Sequence, residues 1–173
     1  MKKLTLLLIP LLLIVVMSSS MASNSEAAEP AYRPYTAKPG IQSETVYIHE
    51  LRADGNGVQA VVDPIDWYEG EAAKEAFAKY EPDAGIDGPL DDYYIVNDDE
   101  TLVTYPVAAH AEVLMQIYDR NGIDSDISWN EPISLDKLIT KFGQRDIIDL
   151  SNFPYHITIE DGQITSIVQQ YIP

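Results

Sequence analysis

The sequence has 173 residues and a formal net charge of −17 at pH 7, from 28 acidic and 11 basic residues. So negative a surface repels nucleic-acid phosphates and anionic lipid headgroups, which excludes nucleic-acid binding and peripheral membrane binding. There is no cysteine, which excludes a disulfide scaffold, a thiolate zinc site and a thiol nucleophile.

The first 22 residues have the three-part layout of a secretory signal peptide. Lys2 and Lys3 precede an uncharged apolar run over residues 4–17, and Ser20-Met21-Ala22 has the small-x-small pattern of a cleavage site. As a helix the run would span about 21 Å, less than the roughly 30 Å hydrocarbon core of a bilayer. We therefore expect cleavage after Ala22, with an uncleaved anchor as the alternative.

Export would leave a more acidic chain. All 28 acidic residues follow Ala22 and two of the 11 basic residues precede it, so the mature net charge is −19. Such a charge favours cations and basic partners. Export without disulfides is typical of a bacterium with a single membrane and a cell wall. The sequence therefore predicts a secreted, extracellular or wall-associated protein with no membrane segment after cleavage.

Residues 23–40 contain Pro30, Pro34 and Pro39 among small and polar residues, a composition that predicts a flexible tether. One globular domain is expected over 41–173, which is long enough to build a core without disulfides.

The first elements of this domain follow from changes in residue pattern. Residues 45–52 and 58–67 are rich in β-branched and aromatic residues, and Asp54-Gly55-Asn56-Gly57 between them predicts a hairpin turn. Residues 70–80 change to a helical period, and 81–91 form a loop. Strands are predicted at 92–96, 101–107 and 111–118, with a helix as the alternative for the last.

The second half continues with a polar connection over 119–132. Ser134 has the position of an N-cap for a helix that ends at Phe142, before Gly143. Residues 146–150 are predicted as a short strand or turn.

The C-terminal hairpin has the strongest local signal. Asp161-Gly162 supplies the positive φ angles of a type I′ turn between strands 155–160 and 163–172. A regular ladder from this turn pairs Ile159 with Ile164 and places one face in the core. That core face is predicted to hold Tyr155, Ile157, Ile159, Ile164, Ser166 and Val168, and the other face His156, Thr158, Glu160, Gln163, Thr165, Ile167 and Gln169.

Together these elements predict a single α+β domain, a mostly antiparallel sheet of six to eight strands with two short helices.

Metal and cofactor motifs are absent from the sequence. Asp124-Ser125-Asp126 begins like a calcium loop, but Trp129 and Leu135 stand where the loop needs glycine and glutamate. The acidic residues near 91–100 are typical of a solvated hairpin end, and the three histidines form no zinc motif. We therefore predict no metal site and no cofactor.

Catalytic motifs are also absent. There is no nucleophile elbow and no glycine-rich phosphate loop. A pair of catalytic carboxylates stays open, because an acidic chain has many carboxylates and only geometry can select two of them.

The aromatic residues provide the candidate binding surface. Eleven tyrosines and two tryptophans are many for this length, and amphipathic aromatics are common in recognition surfaces. The alternative is a packing role, with one strand face in the core and the other covering a helix. The candidate binding residues are Trp67, Tyr94, Asn97, His156, Gln169 and Tyr171.

Several segments together resemble a group of uncharacterised small secreted proteins of Gram-positive bacteria. The resemblance covers roughly residues 45–173 and rests on residues 63–67, 70–72, 92–97, 154–162 and 170–173. It implies a signal peptide and a single domain, and it carries no activity and no functional residue.

The expected function is therefore a non-catalytic binding module for a protein, peptide or cell-wall component. The alternatives are a carboxylate-based secreted hydrolase and a structural or cation-binding envelope protein.

Overall fold

The computed structural model describes residues 34–123 and 125–173. The predicted signal peptide, most of the predicted tether and Asp124 lie outside the described residues. The strands are β1 (Gln42–Asp54), β2 (Gly57–Glu69), β3 (Tyr93–Val96), β4 (Val103–Ile117), β5 (Ile127–Ile133), β6 (Pro154–Glu160) and β7 (Gln163–Gln169). The helices are α1 (Gly70–Tyr80) and α2 (Leu135–Phe142), followed by a 3-10 turn, Leu150–Asn152. No helix within these ranges is both long and apolar enough to cross a membrane.

Five strands close into a barrel. The sheet order is β3-β2-β1-β6-β7-β4-β5, and a further pairing of β2 with β4 joins the ends of the five-stranded part. Every pairing is antiparallel except that of β4 with β7. The single α+β domain with a mostly antiparallel sheet and two short helices is confirmed. The closure into a barrel was not predicted, because it depends on pairing between distant strands.

The first hairpin and α1 form where the local signals predict them. Asp54 Oδ1 accepts a hydrogen bond from the backbone N–H of Asn56 at 2.7 Å, which stabilises the turn between β1 and β2. Gly70 has a φ of 57°, a left-handed conformation that favours glycine and lets β2 pass directly into α1.

Strand β4 differs from the prediction of two strands. It runs continuously because its first half pairs with β2 and its second half pairs with β7 and β5, with an irregular stretch between Val107 and Glu112. The predicted polar connection over 119–132 is wrong for its last part, which forms most of β5. Polar and apolar residues are mixed in β5, and its pairing with β4 decides its conformation.

Helix α2 lies against the barrel. Ser134 Oγ accepts a hydrogen bond from the N–H of Lys137 at 3.2 Å, as expected for an N-cap. Leu135, Leu138 and Phe142 are buried and join the same apolar cluster as the inward side chains of the strands.

The C-terminal hairpin has the predicted turn, but its register changes after the first pairs. Asp161 and Gly162 both have positive φ, and Ile159 pairs with Ile164 as predicted. A β-bulge then adds one residue, Thr165, to β7, so Ser166 pairs with Thr158 and Ile167 pairs with Ile157. The predicted faces of β7 are therefore wrong beyond Thr165.

This shift moves Gln169 from the predicted outer face into the interior. Its side-chain Oε1 accepts hydrogen bonds from the backbone N–H groups of Gln116 and Ile117, each at 2.9 Å. Gln116 Nε2 in turn donates to the Gln169 carbonyl at 3.1 Å. Gln169 is 1% exposed, so its contacts hold β4 to β7, and the prediction that it belongs to an exposed binding face is wrong.

Candidate functional site

Four aromatic rings meet on the outer face of β1, β2, β3 and β6. Trp67 stacks on Tyr93 with ring centroids 4.7 Å apart and an interplanar angle of 12°. His156 and Trp67 form a T-shaped pair with centroids 6.2 Å apart and an interplanar angle of 86°, and Tyr35 stacks on His156 at 4.6 Å and 8°. Two of the predicted binding residues, Trp67 and His156, are therefore brought together.

Strand alternation explains why these rings share a face. Trp67 pairs with Ile95, and Glu69 pairs with Tyr93, so Tyr93 is diagonal to Trp67 on the same side of the sheet. Thr45 pairs with both Ile65 and His156, which brings β6 next to the same surface.

His156 is held by a hydrogen bond at each ring nitrogen. Nε2 lies 3.0 Å from Gln170 Oε1, and Nδ1 lies 3.0 Å from Thr45 Oγ1. Gln170 Nε2 donates to the carbonyl of Tyr171, which assigns Oε1 as the atom facing the ring. Because an amide oxygen only accepts, Nε2 carries the proton and Nδ1 accepts from the Thr45 hydroxyl. Burial lowers the pKa of His156, and the hydrogen bond to Gln170 and the charge of Glu69 oppose this shift.

Three of the rings, those of Tyr35, Trp67 and His156, border a cavity of about 270 Å³, which we call the Trp67–His156 cavity. Its lining combines aromatic rings with hydroxyl groups and acidic residues. The lining residues are Tyr35, Ala37, Ser43, Glu44, Thr45, Trp67, Glu69 and His156. Glu69 Oε1 accepts a hydrogen bond from Trp67 Nε1 at 2.9 Å, which fixes the indole relative to this carboxylate.

Tyr35 contributes a wall from the segment predicted to be a tether. Its hydroxyl hydrogen-bonds to Ser43 Oγ and lies 3.2 Å from Thr158 Oγ1. The prediction assigned no contact to this segment, whereas the structure places Tyr35 against the barrel.

Tyr35 also lines a second cavity, of about 470 Å³. Leu114 and Val168, which pair across β4 and β7, contribute apolar side chains to it. The other lining residues are Pro34, Tyr35, Thr36, Lys38, Glu112, Asn130, Thr158 and Ser166. Since Tyr35 lines both cavities, a single extended ligand that displaces or bridges this ring would reach both.

Tyr94 and Tyr171 lie elsewhere. Tyr94 packs edge-on against Phe77 of α1 at 5.5 Å, and its hydroxyl donates to Glu81. It therefore covers the helix, as the packing alternative predicted. Tyr171 packs edge-on against Trp129 at 5.5 Å.

Asn97 has a structural partner, a buried carboxylate. Its Nδ2 donates to Asp63 Oδ2 at 2.8 Å, and His49 Nε2 lies 3.9 Å from the same oxygen. Asp63 pairs with Tyr47 across β1 and β2. Burial raises the pKa of Tyr47, with smaller contributions from Tyr93 and Asp63.

Within the ranges that the structure describes, no three or more His, Asp or Glu side chains lie close enough to hold a metal ion. The acidic residues Asp98 and Asp99 line a cavity of about 400 Å³ with Glu44 and Asp66. This arrangement by itself does not indicate a ligand.

Six residues that line the cavity were not among the predicted binding residues: Tyr35, Ala37, Ser43, Glu44, Thr45 and Glu69. The alternation of β2 contains a signal for Glu69, which is two residues from Trp67 on the same strand face. No local signal connects Tyr35 or Thr45 to His156. The pairing of β1 with β6 brings Thr45 beside the histidine, and the packing of the segment before β1 brings Tyr35 there.

Comparison with protein-family models, curated proteins and solved structures gave no match for this chain. The geometry of the Trp67–His156 cavity is therefore the basis for the functional argument.

The lowered pKa of His156 predicts a pH-dependent stability. The unfolded chain binds the imidazole proton more tightly than the folded chain does. The contribution of neutral His156 to the free energy of unfolding is therefore complete above about pH 6.5, and it declines as the pH falls toward the pKa in the folded chain. We expect the urea midpoint to fall between pH 7.5 and 5.5, and to fall less in His156→Gln. His110→Gln, at an exposed position, is the control. An equal fall in the wild type and His156→Gln would contradict the assignment.

Proposed function

We propose that this chain is exported and that its mature domain is a non-catalytic binding module for a protein, peptide or cell-wall component. The observation that carries the proposal is the Trp67–His156 cavity, where aromatic rings and polar groups are already fixed in position. Specific ligand sites combine mostly apolar walls with a few well-placed polar groups. Because the rings are held before binding, little side-chain entropy would be lost when a ligand enters.

The order of the barrel strands adds a fold-level analogy. In chain order the five barrel strands are β1, β2, β4, β6 and β7. Around the barrel they follow one another as first, second, third, fifth and fourth, and α2 lies in sequence between the third and the fourth. This is the order of the OB barrel, a Greek-key barrel that binds oligonucleotides and oligosaccharides at its second and third strands. Here the pairing of β2 and β4 supplies Gln59, Val61, Thr104 and Pro106 to that surface, without an aromatic ring. The aromatic cavity beside β1 and β6 is therefore the site we propose.

The alternative of a carboxylate-based hydrolase has one observation in its favour, since Glu44 and Glu69 line the same cavity. Carboxylate-based cleavage of a glycosidic bond needs two carboxyl groups that flank the same bond. Glu44 points to the opposite face of β1 from Thr45, and its carboxylate is held by the Tyr105 hydroxyl. Glu69 is therefore the carboxylate that faces the cavity, and we favour binding without catalysis.

Export is tested by the mass of the protein itself. The chain recovered from the culture medium of a Gram-positive host should begin at Ser23, because Ala22 ends the cleavage pattern. A cell-bound chain that retains Met1 would contradict this part of the proposal.

Binding is tested by the fluorescence of Trp67 in the mature chain carrying Trp129→Phe, which leaves one tryptophan. The probes are muropeptides from digested peptidoglycan and, separately, a mixture of random dodecapeptides. We expect a saturable change in emission with one of them, lost in Tyr35→Ala and kept in Tyr80→Ala, a tyrosine on α1. No response to either probe, or a response that Tyr35→Ala leaves intact, would overturn the proposed site.

The same mixtures also separate binding from hydrolysis. Mass spectrometry after prolonged incubation should find both probes unchanged. Cleavage that is lost in Glu69→Gln would favour the hydrolase instead.

A further inference from the structure

We propose that the Trp67–His156 cavity binds an alkylammonium group, supplied by a lysine side chain of a peptide. This inference rests on the proposed binding function and names the chemistry of its ligand. It is carried by the charge of the cavity, by its rings and by a neighbouring cavity that shares Tyr35 with it.

The charge of the lining is one-sided. Glu69 lies two residues from Trp67 on the same face of β2, and the lining contains no lysine or arginine. Glu44 also lines the cavity, but its carboxylate points to the opposite face of β1 from Thr45, where the Tyr105 hydroxyl lies 3.3 Å from both of its oxygens. Among the described residues, Glu69 takes part in no ion pair within 4.0 Å. Glu69 is exposed, and its Oε2 is available to a cation beside the indole.

The rings suit the same ligand. A cation is attracted to the face of a tryptophan or tyrosine ring, and more strongly when it is desolvated. The lowered pKa of His156 keeps this third ring neutral at pH 7, so it does not repel a cation. An ammonium group placed between Glu69 and the rings would gain both a charge-assisted hydrogen bond and cation–π attraction.

The neighbouring cavity favours a peptide as the source of the ammonium. Tyr35 lines both cavities, and the second one presents the apolar side chains of Leu114 and Val168. A peptide with a lysine and a nearby aliphatic residue matches the two cavities together. The net charge of the mature domain would also attract such a basic peptide.

The test compares three probes on the mature Trp129→Phe chain by Trp67 fluorescence. They are acetyl-Gly-Lys-Gly-Leu-Gly-amide, the same peptide with norleucine in place of lysine, and the neutral saccharide chitobiose. We expect saturable binding of the lysine peptide and at least about tenfold weaker binding of the norleucine peptide, equivalent to about 1.4 kcal/mol. Raising the salt concentration from 0.05 to 0.5 M shortens the screening length. It should therefore weaken the binding of the lysine peptide and leave the binding of the norleucine peptide unchanged.

The variant that tests the cavity is Glu69→Gln, and its control is Glu160→Gln. Glu160 is exposed and does not line the cavity, and its substitution changes the net charge by the same amount. We expect Glu69→Gln to weaken the lysine peptide by about tenfold and Glu160→Gln to leave it nearly unchanged. Circular dichroism should show both variants folded.

Three outcomes would overturn the inference. Equal affinity for the lysine and norleucine peptides would show that charge plays no part, although the binding module would stand. Binding of chitobiose with no binding of either peptide would assign a saccharide ligand to the cavity. If Glu69→Gln and Glu160→Gln weakened the binding of the lysine peptide equally, the overall charge of the domain would explain the affinity without a specific site. The proposed function itself falls only if the muropeptide and dodecapeptide mixtures also give no response.

Discussion

The fold depends on one extra residue in β7. The bulge at Thr165 reverses the faces of the strand, so that Ile167 turns inward opposite Ile157 and Gln169 enters the barrel. There the Gln169 amide accepts hydrogen bonds from two backbone N–H groups of β4, at the point where the pairing of β4 with β5 shifts. A buried amide that satisfies backbone donors in this way stabilises the parallel β4–β7 contact, and this contact is needed to close the barrel.

The candidate site follows from the closed barrel and from strand pairing. The contact of β1 with β6 places Thr45 beside His156, and the contact of β2 with β3 places Tyr93 beside Trp67. With Thr45 and Gln170 holding both ring nitrogens, His156 stays in one orientation and offers a fixed surface to Tyr35. The cavity therefore has rigid walls on the barrel and one wall, Tyr35, from a segment without regular secondary structure.

Local signals predicted the elements that are decided locally. The Asp161-Gly162 turn, the Ser134 cap and the limits of α1 come from the backbone preferences of a few neighbouring residues, and the structure agrees with them. Barrel closure and strand β5 depend on pairing between separate segments, so no local pattern revealed them. The bulge lies within the β6–β7 hairpin, but the side chain that it turns inward, Gln169, bonds to distant β4. The site shows the same division: Trp67 and His156 were selected as amphipathic residues on strands, but Tyr35 could be found only from the folded chain.

The most direct test of this account is the stability of Gln169→Leu relative to Gln163→Leu in urea. Gln169→Leu should leave the N–H groups of Gln116 and Ile117 on β4 without an acceptor and cost about 2–6 kcal/mol, since each such group costs about 1–3 kcal/mol. Gln163 is exposed on the same strand, and its substitution should change stability by less than about 0.5 kcal/mol. Equal and small effects would show that Gln169 lies on the outer face of a regular hairpin, and would contradict the bulge and the barrel closure that depends on it.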